Sequence, residues 1–252
     1  ELAGQVVDAA KQKNLDDCDG KFFAACLAAA REQYKDAISL LDECLKQKPI
    51  FSYALVLRGA VNAALGNEIV SIEDIQKAAA LNPLDGDIAK RLMRALYRRN
   101  LKLGQNVSSE QLVEAKTALN KALALNPSDL ELLGFYADNI VSMEPLRALA
   151  IRQNLQKVNP SVDNALMLDR LAAGLAVRET DAERKDALFA IAESALEQAR
   201  KISPQNETVL SLYAEYYRLR GQNEKAEQLL EQSQDKRAMW SYYFRGGHLE
   251  KA

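Results

Sequence analysis

The stretch KAAALNPLD, residues 77–85, returns almost letter for letter as KALALNPSD, residues 121–129. A looser form, EQARKISPQN, covers residues 197–206. In each copy a run of good helix-forming residues ends at Asn-Pro or Ser-Pro. Proline lacks an amide donor and restricts the residue before it, so each copy predicts the end of a helix. A helix end that recurs in this way indicates an internal repeat.

Five of the six prolines mark the repeat along the chain, and the spacings between them are 34, 44, 33 and 44 residues: Pro49, Pro83, Pro127, Pro160 and Pro204. In four of the five units a small residue, a Leu or Ile and a second small residue precede the proline: Ala37-Leu41-Cys44, Ser71-Ile75-Ala78, Ala115-Leu119-Ala122 and Ala192-Leu196-Ala199. The intervals of four and three residues place each set on one helix face. Small side chains on that face let a neighbouring helix approach closely.

The unit over residues 206–238 shows two helices joined by a turn at Gly221. Its pattern positions are Leu210, Tyr213, Ala214 and Tyr217 on the first helix, then Ala226 and Leu230 on the second. This pattern resembles the tetratricopeptide repeat (TPR) family, whose motif runs Trp-x2-Leu-Gly-x2-Tyr, then Ala-x3-Phe, then Pro. Ala238 stands where the proline would be, a departure expected of a last repeat. The resemblance covers about residues 18–238.

The resemblance implies one all-α domain, a right-handed superhelical solenoid of about six antiparallel helical hairpins. We predict an N-terminal helix or cap, a C-terminal capping helix with a tail, and six repeats between them: 1–17, 18–50, 51–84, 85–128, 129–161, 162–205, 206–238 and 239–252. Extra loop is expected in the two longer units, at about 100–110 and 179–187. In the unit 129–161, Arg152 and Leu155 replace the expected apolar and small residues.

The composition is that of a folded soluble protein, with 48% hydrophobic and 27% charged residues. The net charge of −2 argues against a nucleic-acid partner, because phosphate contacts need a basic surplus. The longest apolar run, FFAACLAAA over 22–30, is too short to span a bilayer. Because the sequence begins at Glu1, a targeting segment or another domain could have been removed. This start leaves a periplasmic or secreted location open, while the free thiols expected for the three cysteines slightly favour a cytoplasmic one.

Three cysteines, Cys18, Cys26 and Cys44, form neither a CxxC pair nor an even set. Cys44 falls at a small, buried helical position of the repeat and is interpreted as a core thiol. We expect free thiols, which would favour a reducing compartment.

The sequence offers few candidates for a catalytic site. The single histidine, His248, excludes a Ser-His-Asp triad and a histidine-rich metal site. A carboxylate pair could act as in a glycosidase, with Asp138 and Asp169 as candidates on successive first helices. Solvated carboxylates on a repeat surface are the preferred interpretation. We therefore predict a protein that is not an enzyme and has no cofactor or metal.

The resemblance implies that first helices line a concave face that binds partners. The candidate partner-binding residues on that face are Tyr53, Val56, Ala60, Lys90, Arg94, Tyr97, Arg98, Glu131, Asp138, Asp169, Glu215 and Arg218. Lys90, Arg94 and Arg98 recur every four residues and form one helical stripe. We expect this stripe to hold acidic side chains or a terminal carboxylate of a partner peptide. The alternative is that these cations pair with Asp85, Asp87 or the carboxylates of the next repeat.

A second candidate surface is the aromatic group Trp240, Tyr242, Tyr243 and Phe244 near the C-terminus. These residues would either cover the exposed end of the last repeat or bind another subunit. The sequence as a whole predicts a non-catalytic adaptor or assembly scaffold that binds a protein or peptide, without nucleic acid and without membrane insertion. The alternative is a structural subunit of a larger complex that uses its ends or its convex face.

Overall fold

A computed structural model describes residues 17–231 and 242–243 of the chain. All regular secondary structure in these residues is helical, which confirms the all-α prediction. A 3₁₀ turn covers Gly104–Asn106, and the described α-helices are α1 (Cys18–Ala30), α2 (Tyr34–Gln47), α3 (Ser52–Ala64), α4 (Glu68–Leu81), α5 (Gly86–Leu103), α6 (Ser109–Leu125), α7 (Leu130–Ile140), α8 (Pro145–Val158), α9 (Val162–Arg178), α10 (Ala182–Ile202), α11 (Glu207–Leu219) and α12 (Asn223–Leu230).

We call each odd-numbered helix a first helix and each even-numbered helix a second helix. Each first helix packs against the second helix that directly follows it in the chain. The helices belong to two compact units, of which the first ends at Leu132 and the second begins at Leu133. In both units the small residues of the repeat are at most 2% exposed, as the pattern predicts: Ala37, Ser71, Ala115, Ala148 and Ala192. The structure is therefore a helical repeat held together by close contacts at small side chains.

The five prolines end five second helices in one way. Helices α2, α4, α6, α8 and α10 all stop two residues before the proline. The residue between helix and proline leaves the helical region, as at Asn82 with φ −125° and ψ 72°. Its amide still donates to the carbonyl four residues back, here that of Ala78. Proline disfavours the helical conformation of the residue before it, which explains the shared helix end.

The same proline leads into the next first helix. The Asp85 amide donates to the Asn82 carbonyl at 3.2 Å, and the Asp85 carboxylate accepts from the Ile88 amide at 3.0 Å. Proline is favoured at the second position of such a turn and Asp at a helix N-cap. Equivalent caps are formed by Asp129, Ser161 and Asn206. The end of the repeated motif therefore starts the following helix.

The asparagine of the motif connects the end of a hairpin to its beginning. The Asn82 side chain donates to the hydroxyl of Ser52, the first residue of α3, at 2.8 Å. In the next hairpin the side chain of Asn126 lies against Gly86, the first residue of α5. A Cβ added at Gly86 would be 2.4 Å from the side-chain nitrogen Nδ2 of Asn126. The two copies of the opening motif thus close their own hairpins through different contacts.

The two longer repeats correct a prediction. Extra loop was expected at about 100–110 and 179–187, but α5 continues to Leu103 and α10 already begins at Ala182. The additional residues mainly lengthen helices, because these stretches contain good helix formers and a strong start signal. The Asp181 carboxylate supplies that signal for α10 by accepting from the Arg184 amide at 2.9 Å.

The cysteine prediction is wrong for two of the three residues. Cys18 and Cys44 form a disulfide that joins α1 to α2, with their Cα atoms 4.1 Å apart. Cys26 is the free thiol, and its partial burial raises the pKa of that thiol. The sequence search for CxxC spacing could not find this pair, since the hairpin brings together residues 26 positions apart.

Candidate protein-interaction surface

The N-caps give the first helices a common origin, from which equivalent positions can be counted. The eighth residue after each cap is at most 4% exposed in five of the six first helices and buried in all of them: Ala25, Gly59, Met93, Ala137, Asp169 and Ala214. The ninth residue is exposed or half-buried in each helix: Cys26, Ala60, Arg94, Asp138, Arg170 and Glu215. The ninth position therefore lies on the solvent-accessible side of each first helix, which we call the first-helix face.

In α3 this face is apolar. Tyr53 is 53% exposed, whereas Val56 is only 8% exposed. Ala60 is exposed. The Tyr53 hydroxyl donates to the Asp85 carboxylate at 3.2 Å, and this hydrogen bond, together with the negative charge, raises the pKa of Tyr53. Val56 thus belongs more to the core than to a binding surface.

In α5 the face is charged, and two of its three predicted cations already have partners. Lys90 pairs with Asp129 at 2.5 Å and with Glu131 at 3.1 Å. Arg94 donates to both oxygens of Glu131 through its Nε and Nη2 atoms. These carboxylates come from the start of α7 and the turn before it, which is the alternative given for the sequence. The structure therefore places Lys90, Arg94 and Glu131 in one network.

The pKa values of this network reflect mutual stabilisation of opposite charges. Hydrogen bonds from Arg94 and then Lys90 lower the pKa of Glu131. Burial acts to lower the pKa of Lys90, but the two carboxylates outweigh it and raise that pKa. Each side chain of the network thus keeps its charge, so an acidic ligand would have to compete with Asp129 and Glu131.

Arg98 differs from the other two cations of the stripe. Its side chain is exposed and forms no ion pair with a residue of the described ranges. Tyr97, its neighbour, is half-buried. Arg98 is therefore the member of the stripe that a carboxylate of a partner could reach without displacing a residue of the chain.

The second unit contains two further predicted residues in local ion pairs. Asp138 accepts from the guanidinium of Arg152, which also donates to the Gly134 carbonyl at 3.1 Å. Arg152 is only 7% exposed, and these two hydrogen bonds compensate the burial of an arginine where the repeat pattern has an apolar residue. Glu215 and Arg218 pair with each other at 2.6 Å, one turn apart on α11.

Asp169 lies at the buried eighth position of α9, one residue before the position on the first-helix face, which is occupied by Arg170. It is 4% exposed, and burial raises the pKa of its carboxyl group to about 7. The sequence register placed it one residue off, because α9 lacks the aromatic residues that mark the pattern in α11. Asp169 is therefore buried, whereas Asp138 is a solvent-exposed carboxylate, with its side chain 58% exposed, that pairs with Arg152.

Of the C-terminal aromatic group, the described residues are Tyr242 and Tyr243, while Trp240 and Phe244 lie outside the described ranges. Tyr242 is 7% exposed and packs into the core of the second unit. Its hydroxyl donates to the Asn223 side chain at 3.4 Å, at the start of α12. Tyr242 therefore covers part of the last hairpin.

One further network, in which only Asp74 is buried, has no counterpart among the predicted residues. Arg58 of α3 donates to both oxygens of Asp74 at 2.8 and 2.7 Å, and to Asp42 at 2.5 Å. It joins three successive helices, α2, α3 and α4. Arg58 stands seven residues after Phe51, where the repeat pattern has an apolar residue. This departure was the signal in the sequence from which the network could have been found.

Across residues 17–231 and 242–243 no group of three His, Cys, Asp or Glu side chains is arranged to hold a metal ion. Among the helices of those residues, none has the length and apolar character needed to cross a bilayer.

Comparisons with known proteins agree with this architecture. Residues 189–245 match the sequence model of the tetratricopeptide repeat. The structure is similar to YrrB, described as a TPR protein with an unusual peptide-binding site, with a TM-score of 0.60, 19% identity, and coverage of 81% of this chain and 95% of that chain. It is also similar to PilF of Pseudomonas aeruginosa, with a TM-score of 0.61, 16% identity and coverage of 90% and 91%.

A tetratricopeptide repeat protein from Parabacteroides merdae gives a TM-score of 0.65 at 14% identity, with coverage of 93% and 88%. No curated protein matches the sequence. The paired helices and their shared caps define an all-α helical-repeat protein. The family match identifies a tetratricopeptide repeat within residues 189–245, and these neighbours show that the described helices share the fold of TPR proteins. This fold supports a role as a protein-interaction module.

Proposed function

We propose that the chain is a non-catalytic adaptor that binds a segment of a partner protein along the first-helix face of its first unit. The observation that carries the proposal is the contrast along that face. Exposed Tyr53 and Ala60 on α3 offer apolar contact, while exposed Arg98 on α5 offers a cation without an ion-pair partner in the described ranges. A segment with an apolar residue near an acidic one would satisfy both.

The charge of the face limits the acidity of that segment. Lys90, Arg94 and Arg98 supply three positive charges, and Asp129 with Glu131 removes two. We expect Arg98 to bind a carboxylate of the ligand directly, and Arg94, with a side chain 45% exposed, to divide its N–H donors between Glu131 and the ligand. Guanidinium groups suit this because their planar donors match a carboxylate.

The test replaces Arg98 by glutamate. Its control is Arg91→Glu, at an exposed arginine of the same helix that forms no ion pair with a residue of the described ranges. Capture of partner proteins from lysate, quantified by mass spectrometry, should fall more than about tenfold for R98E because a repulsive charge replaces a charge-assisted hydrogen bond. The control should capture as the unaltered chain does. Equal capture by all three proteins, with unchanged helical circular dichroism, would exclude Arg98 from the binding surface.

A structural subunit is the second candidate, and the second helices carry an observation in its favour. Ile69 of α4 and Val113 of α6 stand two residues before the buried small residue of their helices and are 75% and 64% exposed. Large exposed aliphatic side chains at equivalent positions are a feature of contact surfaces. If this surface holds a partner subunit, Ile69→Lys with Val113→Lys should prevent co-purification, whereas Arg98→Glu should not.

A further inference from the structure

A cleft of about 470 Å³ lies between α2, α3 and α4 of the first unit, apart from the residues of the first-helix face discussed above. Its lining combines four charged and three apolar residues: Asp42, Lys46, Arg58 and Lys77, with Leu45, Pro49 and Leu55. A volume of this size is in the range of small-ligand sites and can hold a few side chains of a larger partner.

Arg58 forms a rigid polar wall of the cleft. Its guanidinium is fixed by the bidentate contact with Asp74 and by the contact with Asp42, and these hydrogen bonds raise the pKa of Arg58. Three of its five N–H groups are used in these bonds, which leaves two donors. Arg58 is therefore held permanently charged and in one orientation.

Lys46 and Lys77 supply the uncompensated charge of the cleft. Both side chains are exposed, and neither lies within ion-pair distance of a carboxylate of the described residues. They reach the cleft from different second helices, α2 and α4. The only carboxylate in the lining is Asp42, which already binds Arg58. An anion in the cleft would therefore meet two ammonium groups that form no ion pair with a described residue, of which Lys46 has Glu43 as an electrostatic neighbour.

The apolar part of the lining separates two kinds of anion. Leu45 and Leu55 are 8% and 4% exposed and offer the edge of a packed core. Pro49 adds the exposed ring of the residue that ends α2. A small hydrated anion gains nothing from these surfaces, whereas an aliphatic side chain next to a carboxylate buries apolar area there.

The geometry points to this cleft as a second docking site, which takes a polypeptide segment with an acidic residue beside an aliphatic one. The carboxylate lies between the ammonium groups of Lys46 and Lys77 and accepts from the free donors of Arg58. The aliphatic neighbour contacts Leu45, Pro49 and Leu55. The site lies apart from Arg98, so the chain could hold two segments, or one partner at two places.

The test uses a synthetic octapeptide of alternating Glu and Leu, blocked at both ends and labelled for fluorescence anisotropy. Its matched control has Gln in place of Glu. We expect the Glu peptide to bind at least about tenfold more tightly than the Gln peptide, since charge-assisted hydrogen bonds are lost in the control. The variant Lys46→Glu with Lys77→Glu should lower affinity for the Glu peptide by at least tenfold.

A variant with the same change of net charge separates the site from general attraction. Lys35→Glu with Lys121→Glu alters exposed lysines of α2 and α6 that do not line the cleft. It should keep the affinity within about twofold. Equal losses in the two double variants would overturn the proposal, because the peptide would then respond to overall charge.

Two further outcomes also decide the matter. Loss of peptide binding in R98E but not in the Lys46/Lys77 variant would overturn the cleft and support the first-helix face. Competition by inorganic phosphate as effective as competition by unlabelled peptide would identify a simple anion site and overturn the polypeptide ligand. Binding lost in the Lys46/Lys77 variant, and retained in R98E and under phosphate, supports the cleft whatever the fate of the proposed adaptor surface.

Discussion

Asp74 and Asp169 are two buried carboxylates, one in each unit, and they are 2% and 4% exposed. They differ in their surroundings. Asp74 receives two hydrogen bonds from Arg58, whereas Asp169 has no ion pair or hydrogen bond with a described residue. A buried carboxylate is stable as an ion only if it is paired and hydrogen-bonded. The same helical-hairpin backbone thus contains one compensated and one uncompensated charge.

The contrast shows what the repeat determines and what it leaves to individual side chains. Prolines and caps set the helix ends in both units, so the hairpins agree in their backbone contacts. The polar groups inside them do not follow the repeat. Asp169 even occupies the position at which α3 has Gly59, where two helices approach most closely. Substitutions at these positions should therefore have effects that differ in sign as well as in size.

The largest effect is expected from Arg58→Met. This change leaves Asp74 buried without its cation and should reduce the free energy of unfolding by about 3–5 kcal/mol. The double variant Arg58→Met with Asp74→Leu removes both charges and should recover most of this loss. Urea unfolding followed by circular dichroism measures each value, and hydrogen exchange of amides in α3 and α4 locates the effect.

Arg94→Met is the matched control for that experiment. Arg94 also donates to both oxygens of one carboxylate, that of Glu131. However, the Arg94 side chain is 45% exposed and the Glu131 side chain is 36% exposed. An exposed pair contributes less than about 1 kcal/mol. Equal destabilisation by R58M and R94M would show that burial does not distinguish the two ion pairs, against the argument from Asp74.

The second effect, with the opposite sign, is expected at Asp169. Its pKa in the folded chain is raised to about 7, above that of an unfolded Asp. The unfolded chain therefore loses its proton first, so the stability cost of Asp169 is absent at low pH, grows as pH rises, and is complete above about pH 7. Asp169→Asn, which cannot ionise, should be more stable than the unaltered chain by roughly 2–4 kcal/mol at pH 8.

The pH dependence separates this charge effect from packing. The gain of Asp169→Asn should shrink between pH 8 and pH 5, as measured by urea unfolding at each pH. Asp169→Ala places at this position the residue that α7 and α11 carry, Ala137 and Ala214. A gain that stays constant over this pH range would mean that Asp169 does not change its protonation there.

Much of this architecture could be predicted from the sequence, and the reason is local. The helix ends at Pro83 and Pro127 depend on a few neighbouring residues, which periodicity shows directly. The disulfide between Cys18 and Cys44, the network of Arg58 and the burial of Asp169 depend on contacts between helices. For the first-helix face the spacing found the Lys90 and Arg94 stripe and named carboxylates of the next repeat as alternative partners, but it could not decide that Asp129 and Glu131 bind these cations.

The third prediction tests the close approach at the eighth position of α3. A Cβ at Gly59 would lie 2.9 Å from Ile75 and 3.0 Å from the Ser71 carbonyl oxygen. Gly59→Ala should therefore lower stability by about 1–3 kcal/mol through overpacking. Gly134 in α7 is the control, because its nearest neighbour is the Arg152 guanidinium at 3.5 Å. Gly134→Ala should leave thermal stability unchanged or raise it, and equal losses at the two sites would contradict the close packing of α3 on α4.

The smallest effects are expected at two glycines where an added Cβ would have no neighbouring atom within 4 Å. Gly174 lies inside α9 with open space around its missing Cβ, and Gly66 lies in the turn after α3 with φ +84°. Alanine at Gly174 should raise stability by about 0.5–1 kcal/mol, because glycine is the weaker helix former. At Gly66 the same substitution should lower it by about 1 kcal/mol, since only glycine adopts that conformation without strain. Thermal unfolding of the two single variants compares them directly. A regular helix at Gly174 and a left-handed turn at Gly66 require changes in stability of opposite sign. A loss of stability for Gly174→Ala would instead show that another side chain packs against α9 at that point.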